Sequence, residues 1–393
     1  MDFTPTERVL QLRDQVEYFF NEKILPRNHE WEERVERQGE VWPDFLMDLR
    51  AEAKALGLWN MALPLLADDE PGTRLSNLEF ASIAEILGRL PWASYVFNCN
   101  VPDVPNMEIL QMFGTPEQKQ RWLHPLLQGD TRSAFAMTEP AVASSDATNI
   151  ATRIERDGDD YVINGGKAFI SGGGQADVYV TMVRTGDDSA GGVSCIAIPK
   201  DAPGISFGAQ ERKMGWNSQP TAQVLFDDCR VPVENLVGEE GQGFKIAMMG
   251  LDGGRLNIGA CSLGAARACL EAAQDYTADR KQFGSPVGDF QGIQFTLADM
   301  ATELEAARLM IRQAAAKLDA KEPEATLYCA MAKRFATDVG FKVCNDALQL
   351  HGGYGYLRDF PIERYVRDTR VHQILEGTNE IMRVIISRAL LKD

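Results

Sequence analysis

The sequence predicts an α+β chain of three packed units: helical, then β-rich, then helical again. Three observations carry this. A chain of 393 residues is longer than one hydrophobic core usually serves. Apolar residues recur at helical spacing up to about residue 130 and again beyond about residue 240. Between those limits, short β-rich runs alternate with turn residues. The expected division is a helical domain at 1–130, a central β-barrel-like domain at 131–240 and a helical bundle at 241–393.

In the first unit Val9, Leu12, Val16, Phe19 and Phe20 share one helical face. Ser76-Asn77-Leu78-Glu79 reads as a capping box, in which each end satisfies an orphan N–H of the other. Thr115-Pro116-Glu117-Gln118 is a second helix start, with proline at the first helical position. Gly57 and Gly88 fall where helix C-caps are due.

In the second unit, runs at 151–155 and 161–164 flank Asp157-Gly158, a hairpin-type turn. Further strand-like runs follow at 178–183, 193–199 and 222–226. In the third unit Phe295, Met300, Leu304, Ala307 and Ile311 form a helical stripe. Small residues from Cys261 to Ala273 allow close helix contact, and Pro323 and Gly340 mark interruptions.

The formal net charge of −17 makes nucleic acid and anionic membrane surfaces poor partners. An anionic ligand then needs a few placed cations and helix N-termini. The seven cysteines form no CxxC pair and fit reduced, buried thiols. The four histidines show no HExxH pattern, so no metal site is expected. The acidic, amphipathic N-terminus is unlike a signal peptide, and no apolar run reaches membrane-spanning length. The expectation is a soluble, cytoplasmic chain, in a bacterial cytosol or, after processing, a mitochondrial matrix.

Four stretches carry possible chemistry. Glu376 follows an apolar pair and precedes a glycine, and Thr378 stands where it caps the next helix. A partly desolvated carboxylate there gains basicity, as a general base for a weak carbon acid requires. On those facts alone, a surface acid favoured by the helix dipole is the commoner explanation. The stretch from Phe135 to Asp146 is rich in small residues and hydroxyls. It suits close approach to a flat polar ring or a phosphate, or else is an ordinary turn capped by Ser144 and Asp146. Phe169 and Ser171 share one strand face and flank a cofactor ring, unless Phe169 is simply a core residue. His351-Gly-Gly-Tyr-Gly355 lets backbone approach a ligand, but it lacks the strand–GxGxxG–helix setting of a dinucleotide fingerprint.

Taken in order, MTEP (137–140), KAFISGG (167–173), DRKQFG (279–284), QLHGGYGY (349–356) and LEGTNEIMR (375–383) resemble the acyl-CoA dehydrogenase family over essentially the whole chain. The resemblance implies that family's fold: an N-terminal helical domain, a central β domain and a C-terminal four-helix bundle. It implies FAD-dependent α,β-dehydrogenation of a fatty or short branched-chain acyl-CoA to the trans-2-enoyl-CoA. By resemblance, Glu376 matches the base that removes the α-proton while flavin N5 takes the β-hydride. Its backbone N–H helps to polarise the thioester oxygen. Phe135, Met137, Thr138, Ser145, Phe169 and Ser171 match positions around the flavin. Arg280, Phe283, Gln291, Gln349, Gly352, Gly353, Thr378 and Glu380 match further FAD contacts, several of them reaching a neighbouring subunit. Ser144 or its neighbour Ser145, together with Asp252, Arg255, Gly377 and Arg388, matches acyl-CoA-binding positions. Some relatives carry the base just before the equivalent of Arg255. That place is Gly254 here, which has no side chain to act.

An electron-transfer flavoprotein as acceptor and a homotetramer are implied in the same way. From about Gly166 onward, GWNSQPT (215–221), NIGACSLGAA (257–266) and VHQILEGTNE (371–380) resemble the isobutyryl-CoA dehydrogenase branch. Before about Asn164, VWPDFLMDLR (41–50), FNCNVPDVPNMEIL (97–110) and MTEPAVASSDATNI (137–150) resemble the branch of the 10/11-type vertebrate members, as in a natural mosaic or an engineered chimera. An acyl-CoA oxidase shares fold and base and is the first alternative. A non-catalytic acyl-CoA-binding protein is the second, and Glu376 with Arg280 speaks against it. Glu376 also argues against flavin monooxygenases, which need no base there, and nitroalkane oxidases, which carry aspartate.

Overall fold

The computed structural model describes residues 3–391, Ser144 by its backbone alone. The first helices are α1 (Glu7–Phe19), α2 (Asp44–Ala55), α3 (Asn77–Leu87) and α4 (Asp103–Phe113). Val9, Val16, Phe19 and Phe20 are buried, as their spacing predicted. Both helix-start signals form: Ser76 and Glu79 make a reciprocal capping box, and so do Thr115 and Gln118. Gly57 follows α2 with φ +75°, a left-handed end that glycine adopts without steric cost.

Strands β1 (Ser133–Ala136), β2 (Arg153–Asp157), β3 (Asp160–Ser171), β4 (Val178–Arg184), β5 (Val193–Pro199), β6 (Ile205–Phe207), β7 (Thr221–Pro232) and β8 (Leu236–Val237) build one sheet. Its order is β6-β7-β3-β2-β4-β5-β8, with β1 added parallel to β4. All of β4 is buried because its two faces serve different cores. Val178, Val180 and Met182 join the core shared with the helices, whereas Tyr179 and Val183 point into a core enclosed by the sheet. The sheet thus packs on helices with one side and curls around its own filling with the other.

The last unit comprises α5 (Gly243–Asp279), α6 (Gln291–Asp319), α7 (Ala325–His351), α8 (Ile362–Thr369) and α9 (Asn379–Leu390). The 37 residues of α5 run roughly 55 Å and form its spine. Helix α3 of the first unit lies directly on α5. A Cβ on Gly264 would stand 1.8 Å from the Glu85 carbonyl oxygen, and one on Gly88 2.2 Å from that of Cys261. These glycines let two helix backbones touch. Gly88 does cap α3 at its C-terminus, as expected, but in ordinary helical conformation (φ −63°) and at the point of contact with α5. Gly340 does not interrupt α7 as expected. It sits inside the helix, where a Cβ would press on Ser262 of α5 at 2.8 Å. Pro323 does fall in the turn between α6 and α7. Among the described residues, no helix is long and apolar enough to cross a membrane.

Candidate active site

Glu376 stands on the short connection from the turn Arg370–Gln373 to α9. It takes φ +56° and Gly377 takes φ +88°, so two successive left-handed residues reverse the chain. The glutamate pays about 1–3 kcal/mol for that conformation and keeps it only if its surroundings over-determine it. They do. The Thr378 hydroxyl accepts the Ile381 N–H at 3.3 Å and caps α9. The Gly377 carbonyl accepts Lys333 Nζ at 2.8 Å, and the Glu376 carbonyl accepts Arg255 Nε at 3.4 Å. Arg255 is itself anchored, donating to Asp252 Oδ1 at 2.7 Å. Asp252 Oδ2 accepts the Thr326 hydroxyl at 2.7 Å.

The turn aims the carboxylate into a cavity of about 110 Å³ between α3, α5 and the sheet. Phe80, Leu87, Leu90, Val101, Ile258 and Leu375 give it apolar walls, and Ser171 and Trp216 face it from the β unit. Glu376 Oε2 is buried and lacks a hydrogen-bond partner among the described residues. Burial holds this carboxyl above the usual carboxylate range, and Arg255 and Lys333 offset only part of that. Gly254 faces it: a Cβ there would stand 2.8 Å from Oε2. The alternative position for the base thus opens onto the same carboxylate. His372, one turn earlier, accepts or donates at Nδ1 to Ser262 Oγ at 2.5 Å. Burial lowers its pKa to about 3, so it stays neutral beside the site.

On the sheet side, the turn after β1 is fastened by charge. Lys167, wholly buried, donates to Glu139 Oε1 at 2.8 Å and to the Met137 carbonyl at 3.1 Å. Glu139 also accepts the N–H groups of Ala151 (2.7 Å) and Thr152 (2.8 Å). The Ala168 N–H meets the Thr138 carbonyl at 2.8 Å. Two stretches singled out separately in the sequence thus form one unit, and their opposite charges were the available signal. Phe169 lies where the β3–β7 register slips and takes φ +57°. That bulge turns its ring outward, 69% exposed, so it is not a core residue but an open aromatic face. Phe135 is half-buried, Met137 is buried and Ser145 is exposed. The side chain of Ser144 lies outside the described residues.

A second cavity, about 840 Å³, opens where α5 and α7 end and α6 begins. Arg280, Gln349, Gly352 and Gly353 line it with Tyr276 and Tyr354. The Arg280 guanidinium lies 5.7 Å from the Tyr354 ring centre. A Cβ on Gly352 or Gly353 would meet nothing within 4 Å, so the loop borders open space. A cation, an amide and accessible backbone suit a dinucleotide's diphosphate and base. Phe283, 96% exposed, and Gln291 stand nearby in sequence but do not line the cavity.

The structure therefore gathers Ser171, Arg255, Glu376 and Gly377 at one place, and Arg280, Gln349, Gly352 and Gly353 at another. Glu380 is exposed and pairs with Arg383 at 3.3 Å. Arg388 is exposed in the last turn of α9, roughly 14 Å along the axis from Asn379, and lines neither cavity. Sequence reasoning missed Lys333, Lys167 and Glu139. Lys333 had one signal, a lone charge on the buried stripe Cys329, Ala336 and Gly340.

Comparison with known proteins agrees with this arrangement. Models of the acyl-CoA dehydrogenase N-terminal, middle and C-terminal domains match residues 6–130, 134–229 and 241–391. The mitochondrial isobutyryl-CoA dehydrogenase of Dictyostelium discoideum is 48% identical over 391 residues, covering 99% of this chain and 90% of that protein. Likeness to that one relative runs through the residues on both sides of Asn164–Gly166. The structure of butyryl-CoA dehydrogenase from Megasphaera elsdenii superposes with TM-score 0.89 at 34% identity, covering 100% of each chain. A structure described as an electron transferring flavoprotein of Acidaminococcus fermentans matches with TM-score 0.89 at 38% identity, covering 100% of each chain. The chain belongs to the acyl-CoA dehydrogenase family, flavoprotein oxidoreductases that act on CH–CH donors.

Proposed function

We propose that this chain dehydrogenates a short branched-chain acyl-CoA, with Glu376 removing the α-proton. One observation carries the assignment: an unpartnered carboxylate oxygen at the wall of a largely apolar cavity, held by a strained turn. Desolvation raises its affinity for a proton, as abstraction from a weak carbon acid demands. The Glu376 N–H polarises the thioester oxygen while its side chain holds the departing proton at a carboxylate oxygen. Apolar walls exclude water from that proton.

FAD is the flavin we assign. Phe135, Met137, Thr138, Ser145, Phe169, Ser171, Thr378 and Glu380 would border it. Arg280, Phe283, Gln291, Gln349, Gly352 and Gly353 would hold its distal part, some of them toward a neighbouring subunit. When bound, the flavin supplies the acceptor for the β-hydride. Asp252, Arg255, Gly377, Arg388 and the Ser144–Ser145 pair are assigned to the acyl-CoA. The resemblance to the Acidaminococcus structure supports an electron-transfer flavoprotein as acceptor.

We assign a homotetramer from the family resemblance, and the neighbouring exposed rings of Phe283 and Phe290, 6.1 Å apart, support an interface on the C-terminal unit. We place the protein in a bacterial cytosol or mitochondrial matrix. We divide it after residues 130 and 240, supported by the helix-to-strand change between Gln128 and Ser133 and the strand-to-helix change between Val237 and Gly243.

The cavity bounds the acyl group. A cavity of about 150 Å³ takes up benzene, with six carbons. This one, at about 110 Å³, is smaller and suits an acyl group of four or five carbons better than one of eight. Anaerobic bleaching of the bound flavin by isobutyryl-, butyryl-, 2-methylbutyryl-, octanoyl- and palmitoyl-CoA tests this. Rapid bleaching by the short esters and slow or no bleaching by octanoyl- and palmitoyl-CoA is expected. Equal rates with palmitoyl-CoA would overturn the short-chain assignment.

A further inference from the structure

We propose that Lys333 is a positioning residue for the base: its ammonium clamps the left-handed Glu376–Gly377 turn and, with Arg255, presents the positive charge that faces the Glu376 carboxylate. The inference rests on Glu376 being the base. Lys333 is fully buried, yet among the described residues no carboxylate lies within ion-pair distance of it. A buried ammonium is costly unless hydrogen bonds satisfy it. Both bonds it makes go to the loop that carries the base: Gly377 O at 2.8 Å and Asn379 Oδ1 at 3.0 Å.

The rest of α7 supports this clamp. Asp338, little more than a turn after Lys333, accepts Gln373 Nε2 at 2.8 Å and Asn379 Nδ2 at 2.8 Å. Asn379 Nδ2 also donates to Thr337 Oγ1 at 3.0 Å. Asp338 thus ties down both ends of the connection, and Lys333 holds its middle. The conformation so fixed is one a glutamate adopts only under constraint, with φ +56°.

The charges around the carboxylate are few. Arg255 and Asp252 face the region from α5, Lys333 and Asp338 from α7, and Glu380 from α9, while His372 is neutral. Asp252 is taken up by Arg255 and Thr326, and Glu380 is exposed and beside Arg383. Lys333 is therefore one of two cations acting on the base, and burial lowers its own pKa to about 8. Removing that charge makes Glu376 harder to ionise, which moves the acid limb of activity to higher pH.

The test compares flavin-loaded Lys333→Gln and Lys333→Met with the unaltered enzyme, measuring kcat, KM and the pH profile of kcat/KM. Glutamine keeps a donor for the Gly377 carbonyl but loses the charge, whereas methionine loses both. The acid limb should move to higher pH in both variants. kcat should fall further in Lys333→Met, by about 10²-fold, the scale of a misplaced catalytic group, with little change in KM. An acid limb that stays in place in Lys333→Gln would overturn the proposal. So would loss of flavin or of the folded protein in both variants, which would assign Lys333 to folding. Glu376→Gln separates the two readings. A Glu376→Gln variant that turns over sinks the assignment of the base itself. An inactive one beside an unmoved Lys333→Gln limb sinks only the role of Lys333.

Discussion

Replacing Gly254 by alanine sets helix stability against catalysis. Gly254 lies inside α5, where Gly→Ala ordinarily stabilises by about 0.5–1 kcal/mol. The added methyl would stand 2.8 Å from Glu376 Oε2 and 3.2 Å from Cδ. Ordinary C···O approaches lie at about 3.3–3.6 Å, so the carboxylate must retreat by roughly 0.5–0.8 Å. The fold tolerates this because the displaced atoms end a flexible side chain. Catalysis does not, since a displacement of about 1 Å costs on the order of 10²-fold. Gly254→Ala should therefore melt at or above the unaltered temperature while its flavin-reduction rate falls about 10- to 100-fold, roughly 1.4–2.7 kcal/mol of barrier. Gly250→Ala, one turn earlier and meeting Ile109 at an ordinary 3.4 Å, is the control and should keep its rate. The assays are a thermal melt and anaerobic stopped-flow bleaching with isobutyryl-CoA. An undiminished rate in Gly254→Ala, or a loss of rate explained by a lower melting temperature, would show that the space at Gly254 does not set the carboxylate's position.

Two further outcomes follow from the charged groups. The Glu376 carboxyl is raised above its unfolded value, so its contribution to stability is present below the unfolded pKa and lost as pH rises through the folded one. At neutral pH the ionised form destabilises, and Glu376→Gln should melt no lower than the unaltered protein at pH 8, the difference shrinking below about pH 4. A clear drop in melting temperature at pH 8 would contradict this. Lys167→Met strands the buried Glu139 carboxylate and should cost about 3–5 kcal/mol in denaturant unfolding, with loss of flavin. A cost below about 1 kcal/mol would show that the pair does not fasten the turn.

Much of the fold was legible because its signals are local. The boxes at Ser76 and Thr115 and the turn at Asp157-Gly158 each satisfy backbone groups within a few residues. Glycines were harder to read. Gly340 looks like a break along the chain, but it sits inside α7 and serves a contact with Ser262, and Gly88, which does end α3, also serves a contact with Cys261. Alternation along β3 put Phe169 and Ser171 on one face, but the bulge between Lys167 and Ile170 sets the actual direction of Phe169. At the site, Glu376 stood out through the motif around it, not through its local chemistry, which equally suits a surface acid. Lys333 and Gly254 act on it across 43 and 122 positions of chain, as the numbering shows, and only tertiary packing brings them together.

Every role proposed around the apolar cavity depends on Glu376 taking the α-proton. That step is tested most directly by the anaerobic rate of flavin bleaching with isobutyryl-CoA in Glu376→Gln loaded with flavin and saturated with the ester. That rate should fall by at least about 10²-fold, the ordinary contribution of a general base, with ester binding retained. Bleaching within a few-fold of the unaltered enzyme would contradict it.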